Sequence, residues 1–182
     1  MADEIEIADY DSNWPRLFEE ERRRLASVLP ADQVCAIEHA GSTAIPGLAA
    51  KSIIDIFVAV RSIDEAHRAV VEPINTLGYV YWQENSDKDR MFFVKGMPPY
   101  GERRTHHVHI FEPTSEVLRR SLVFRDYLGR HPDEEETYER LKRLLASEHG
   151  TDREAYTRAK DAYVKAVTDK AIDAKAAANH NT

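Results

Sequence analysis

The run HAGSTAIPGLAAKSIIDIFVAV, residues 39–60, decides the fold. It begins at the end of an alternating stretch, Gln33 to His39 (QVCAIEH), passes Gly41, Ser42, Pro46 and Gly47, and closes on SIIDIFVAV from Ser52 to Val60. Alternation predicts a strand before the glycine, and the Gly-Ser pair predicts a tight turn after it. The second segment is a nearly unbroken β-branched and aromatic run, the pattern of a strand covered on both faces. Its one charge is Asp55, which has to pair, accept hydrogen bonds or bind a metal, because burying an isolated charge is costly.

Toward the N-terminus, Ile5 and Ile7 alternate with polar residues and predict a short edge strand. Asp11, Ser12 and Asn13 offer caps to a helix whose apolar residues (Trp14, Leu17, Phe18, Leu25, Val28, Leu29) recur every three or four positions until Pro30. Toward the C-terminus, Ser62 or Asp64 caps a second helix through Ala66, Val70 and Ile74 to Gly78, and Tyr79 to Trp82 begins a strand. Two more strands, Arg90 to Lys95 and His106 to Glu112, flank a loop containing Pro98, Pro99 and Gly101. Beyond Pro113, helical periodicity covers Ser115 to Gly129, Glu134 to Ser147 and Asp152 to about Ala178. Strands early and helices late predict a mixed α/β (α+β) fold rather than a doubly wound sheet. We expect one domain over residues 1–170 and a fraying alanine-rich tail over 171–182.

The chain has 182 residues, 42% of them hydrophobic, and 25 basic against 32 acidic side chains give a net charge of −7. That is enough apolar material for one core, and the acidity argues against nucleic acid as a partner, since backbone binding needs phosphate neutralisation. The lone Cys35 excludes an internal disulfide, a CxxC pair and a multi-cysteine zinc site, and in an alternating apolar strand it reads as an inert buried thiol. With no long apolar run and no signal-like start in Met1 to Tyr10, a cytoplasmic protein without a membrane partner is expected.

Two constellations carry chemistry. In the first, Gly41, Ser42 and Thr43 offer backbone N–H groups and hydroxyls suited to phosphate oxygens, with Lys51 and Asp55 close in sequence and His39 just before. The alternative is a structural ion pair of Asp55 with Lys51, Arg103 or Arg104. In the second, RRTHHVH (Arg103 to His109) puts His107 and His109 on one strand face and His106 on the other, so that two imidazoles can converge on one ligand or metal ion. The stretch Lys88 to His109 carries a net charge of +3 and suits a small polyanion. Arg125 and Lys142 are weaker candidates for phosphate contact.

Together, residues 39–60 with LGY (Leu77 to Tyr79), RRTHHVHIFE (Arg103 to Glu112), FRDYLGRHP (Phe124 to Pro132) and Tyr138, Leu141 and Lys142 resemble the GrpB family of the nucleotidyltransferase superfamily, over roughly Ile5 to Val167. The resemblance implies a mixed sheet packed with helices, a Gly-Ser turn that opens a helix, and an acid-hydrophobic-acid strand whose carboxylates, with a third from a later strand, hold two metal ions. Here the positions two before and two after Asp55 are Ile53 and Phe57, and His107 or His109 stands where the third carboxylate would be. One carboxylate beside imidazoles suits Zn²⁺, Ni²⁺, Co²⁺ or Mn²⁺ better than a pair of Mg²⁺ ions. Family members fused to dephospho-CoA kinase imply a nucleotide or cofactor context.

The leading expectation is a protein for a nucleotide or other phosphorylated small ligand, with nucleotidyl or phosphoryl transfer as the reaction. Gly41, Ser42 and Thr43 would cradle phosphate, Lys51, Arg103 and Arg104 would neutralise it, and Asp55, His107, His109 and His39 would hold a divalent metal (Mg, Mn or Zn), with Asp55 and His109 catalytic. The alternative is a non-catalytic protein whose His39, His107, His109 and Asp55 or Glu112 bind a transition metal or a metalloid oxyanion.

Overall fold

The structure, a computed structural model, describes residues 5–84 and 89–180. Among the described residues five strands, β1 (Val34–Ala40), β2 (Ile54–Val60), β3 (Tyr79–Tyr81), β4 (Met91–Lys95) and β5 (His106–Phe111), form one mixed sheet in the order β1-β2-β5-β4-β3. Only β2 and β5 run parallel; the other pairs are antiparallel. Because side chains alternate along a strand, this register sorts the sheet into two unlike faces.

On one face Ile54, Ile56, Val58 and Val60 of β2, with Val108 and Ile110 of β5 and Met91 and Phe93 of β4, join α1 (Trp14–Val28) and α2 (Ile63–Thr76) in the main core. Ser62 caps α2, accepting from the Glu65 N–H at 3.4 Å. On the other face Ala40, Phe57, Ala59 and Phe111 pack against Leu118 of α3 (Glu116–Leu128). Helices α4 (Pro132–His149) and α5 (Arg153–His180) pack with α3 over Ile45 and Leu48, the segment between β1 and β2. The register pairs Asp55 with His107 and Phe57 with His109, so all four point to this second face. The mixed α/β expectation holds, with the helices of the last third capping the face that carries the polar residues. No helix among the described residues is long and apolar enough to cross a membrane.

Three local expectations are corrected. Ile5 and Ile7 do not form a strand: the segment makes one bridge, Ala8 to Ala50, while the Ile5 N–H donates to the Gly150 carbonyl at 3.0 Å and Ile5 packs against Leu145 and Tyr156. The Gly-Ser turn opens no α-helix but a single 3₁₀ turn, Ser42–Ala44. Pro46 biases the residue before it away from helical backbone, and Ile45 is extended at φ −100°, ψ 114°. Cys35 is exposed rather than buried, because a bulge between Val34 and Ala36 on the edge strand β1 turns its thiol out of the core.

The α1–sheet contact carries a buried ion pair. Glu21 is 2% exposed and accepts from Lys95 Nζ of β4 at 2.6 Å, while Arg24 lies 3.5 Å from its other oxygen. Removing one partner strands the other charge, at a cost of about 3–5 kcal/mol. Glu21→Ala is therefore expected to lose about 3 kcal/mol in urea denaturation, and a loss under 1 kcal/mol would refute the pairing.

Candidate functional site

Asp55 stands at the start of β2, beside the start of β5, and its carboxylate is the centre of the site. The His107 Nδ1–H donates to Asp55 Oδ1 at 3.0 Å, and His109 Nε2 lies 4.0 Å from the same oxygen. One ligand atom from each of the three residues lies within 4.8 Å of the others. The side chains of Asp55, His107 and His109 are 28%, 14% and 11% exposed. Aromatic rings sheathe the imidazoles: Phe92 of β4 stacks on His109 with centroids 4.6 Å apart and meets His107 edge-on, and Phe57 meets His109 at 5.2 Å. The other ring nitrogens, His107 Nε2 and His109 Nδ1, are buried and make no hydrogen bond among the described residues.

The electrostatics follow from burial. His109 is driven down to about 3 by desolvation, then by Arg90, against the pull of Asp55, so it is a neutral imidazole at pH 7. Desolvation alone would raise the Asp55 carboxyl. Its hydrogen bond from His107 and the nearby positive groups, Lys51 among them, reverse that, and it stays ionised with a depressed pKa. A carboxylate and a neutral imidazole are the protonation states that a divalent metal requires.

Gly41 is what lets the turn touch this carboxylate. Its backbone sits at φ 67°, ψ −170°, a region essentially reserved for glycine, and a β-carbon there would lie 2.2 Å from Asp55 Oδ2. Helix α5 brings Lys160 close to Lys51 and Asp55. Lys51 Nζ and Lys160 Nζ lie 5.1 and 4.3 Å from the centroid of the Tyr156 ring. Burial first, then the Arg153 and Arg104 charges, lower the Lys51 pKa against the pull of Asp55. Burial and then Lys51 lower Lys160 to about 8, again against Asp55. Helix α4 fixes the segment that carries Lys51: the buried Lys142 ammonium donates to the Ala49 carbonyl, and Glu139 Oε2 accepts from the Ala49 N–H at 3.3 Å.

Residues 4–170 match the family model described as GrpB protein. The chain belongs to the GrpB family. A UPF0157 protein of Pseudomonas aeruginosa is 47% identical over 174 residues, covering 94% of this chain and 69% of that relative. A dephospho-CoA kinase of Mycolicibacterium paratuberculosis is 26% identical over 190 residues, covering 93% of this chain and 46% of the kinase. The crystal structure of conserved protein GrpB from Enterococcus faecalis superposes with a TM-score of 0.83 at 34% identity, covering 93% of this chain and 99% of that one.

Within this GrpB fold the residues singled out by sequence separate into two groups. Gly41, Lys51, Asp55, His107 and His109 come together, whereas Ser42 lies against Tyr138 of α4, with which it shares a hydrogen bond. His39 does not join them, because its register partner is Ile56, on the opposite face, where it stacks on Phe18 of α1 at 4.6 Å. Thr43 points inward, 2% exposed, and its hydroxyl donates to the Ile53 carbonyl at 3.3 Å. Glu112 accepts from the Ile63 N–H at 3.1 Å, at the start of α2. The basic stretch is divided: Lys95 goes to Glu21 on the α1 face, Arg103 is exposed, Arg104 lies over the Trp82 ring at 5.5 Å and acts on Lys51, and Lys88 lies outside the described residues. Arg90 of the basic stretch acts on His109, and sequence reasoning missed Phe92, Tyr156 and Lys160. The last two are i and i+4 on α5, a spacing that marks a shared helix face but not what the face meets.

Proposed function

We propose that this GrpB protein binds one divalent transition-metal ion through Asp55, His107 and His109 and, beside it, a nucleotide or similar phosphorylated small ligand, for nucleotidyl or phosphoryl transfer. What carries this reading is the convergence of one carboxylate and two imidazoles within 4.8 Å. The donor set does not fit two Mg²⁺ ions, since Ile53 and Phe57 stand where further carboxylates would be needed. It fits a single Zn²⁺, Mn²⁺, Co²⁺ or Ni²⁺. Such an ion supplies Lewis-acid neutralisation of phosphate charge.

The chain's own residues do the rest. Gly41 lets the turn's backbone lie directly against the Asp55 carboxylate and so fixes that carboxylate beside the ligand. Lys51 and Lys160 offset the charge of the phosphates that leave, and the clamp by Lys142 and Glu139 holds Lys51 in place. In the transfer an acceptor oxygen forms a new bond to phosphorus, the bond from phosphorus to the departing phosphate oxygen breaks, and the acceptor's proton passes to solvent.

Metal analysis of protein purified without a histidine tag, followed by calorimetry with ATP and CTP, tests this. About one Zn or Mn per chain is expected, with affinity falling at least tenfold in His109→Ala and Asp55→Asn. Absence of metal, or unchanged uptake in variants that keep the native circular dichroism, would overturn the metal site. Metal uptake with no turnover of any nucleoside triphosphate would remove the transfer step and leave a binding protein.

A further inference from the structure

Between the Gly-Ser turn and helices α3 and α5 lies a second concavity, of about 400 Å³, used by neither the metal cluster nor the lysines. Small-molecule sites are cavities of roughly 300–1,000 Å³ with mostly apolar walls and a few polar groups. Phe57, Phe124, Tyr138 and Val164 form the walls here, and Ser121 and Asp161 also line the cavity. The cations at the rim are already engaged. Arg120 donates to Asp169 at 2.6 Å, Lys165 donates to the same carboxylate at 2.7 Å, and Arg125 donates to the His39 carbonyl at 2.6 Å and to Glu38 at 3.1 Å. Asp126 also accepts from Arg125 at 2.8 Å, so three carboxylates meet the three cations; the cavity then favours a flat, uncharged group, and the Asp161 carboxylate, an acceptor only, favours one that bears N–H donors.

Its position relative to the lysines gives the rest of the ligand. Tyr156 and Lys160 on α5 face Lys51, while Asp161, Val164, Lys165 and Thr168 of the same helix line the cavity. At 1.5 Å per residue, Tyr156 and Val164 are about 12 Å apart along the axis. Asp55 borders both places: its charge acts on Lys51 and Lys160, while Gly41, which touches it, and Phe57, two residues on, line the cavity. A molecule anionic at one end and flat at the other spans that distance.

We infer that the cavity binds the base of a nucleoside phosphate, and that Asp161 accepts from an exocyclic amine, selecting adenine, cytosine or guanine over uracil. The inference rests on the phosphate reading above for the other end of the ligand. Binding of ATP, UTP, inorganic tripolyphosphate and adenosine, measured by calorimetry on the metal-loaded full chain, tests it. ATP is expected to bind at least tenfold more tightly than tripolyphosphate. Val164→Trp, which fills the cavity, removes that gap and leaves tripolyphosphate affinity unchanged, and Asp161→Asn reduces the preference for ATP over UTP several-fold. If Val164→Trp lowers the melting temperature, Ser121→Leu narrows the cavity from α3 and gives the same comparison.

Equal binding of ATP and tripolyphosphate, or a gap that survives both fillings, overturns the base site and leaves the phosphate reading intact. Adenosine binding that the fillings abolish, with no response to any of the three polyphosphate compounds, supports the base site while the phosphate reading falls. Silence from all four compounds overturns both.

Discussion

Gly41→Ala is expected to weaken metal and ligand binding at least a hundredfold and to lower the melting temperature by roughly 5–15 °C. Two costs add at this position. The backbone angles, φ 67° and ψ −170°, strain any residue with a β-carbon by about 1–3 kcal/mol. The methyl group would also sit 2.2 Å from Asp55 Oδ2 and 3.1 Å from Asp55 Cβ, and relieving such overpacking costs a further 1–3 kcal/mol or so. In a domain of this size about 2–4 °C accompanies each kcal/mol. Relief requires the carboxylate to move away from His107, which dismantles the three-donor cluster. Gly150→Ala is the control. That glycine also has positive φ, 53°, but a β-carbon there meets nothing within 4 Å among the described residues, so its variant should show the strain alone and full metal binding. Equal effects of the two substitutions in thermal melts and metal titrations would refute the role assigned to Gly41.

Acid should destabilise the metal-free protein well above the carboxylate range. Burial first, then the Arg125 charge, lowers His39 to about 4, against the pull of Asp55 and Glu19. The unfolded chain takes up a proton at this residue near pH 6.5, whereas the folded chain does so only near 4. The stability this contributes is therefore complete above pH 6.5 and is lost as pH falls toward 4, about 2–3 kcal/mol in all. His106 and His109, both held down mainly by burial, act in the same direction. Urea denaturation with a chelator present, from pH 7.5 to 4, should show this decline. His39→Phe, which keeps a ring against Phe18 and removes the titration, should flatten it by about 2 kcal/mol. An unchanged slope in that variant would refute the assignment.

The sheet was legible because strand periodicity is a local property. Alternation in β1 and β5 and the continuous apolar run of β2 follow from which faces are covered, and each of these strands lies within a residue or two of its expected limits. The Gly-Ser turn was legible for the same reason, yet the helix expected after it was stopped by Pro46. Cys35 and Ile5 were misread because a bulge and a bond to the end of α4 depend on partners distant in sequence.

The site divides along the same line. The sequence by itself determined that Asp55 is a solitary charge on a covered strand, that His107 and His109 share a face, and that Gly41 precedes them at a turn, since side-chain direction along a strand alternates whatever the strand packs against. Only the tertiary structure decided that the parallel pairing of β2 with β5 sets Asp55 beside His107, and that the antiparallel pairing of β1 with β2 sends His39 to the opposite face. It also decided that α5 brings Lys160 to Lys51 and Tyr156. The physical reason is register: a shift of one residue between strands exchanges their faces, and no residue carries its own register.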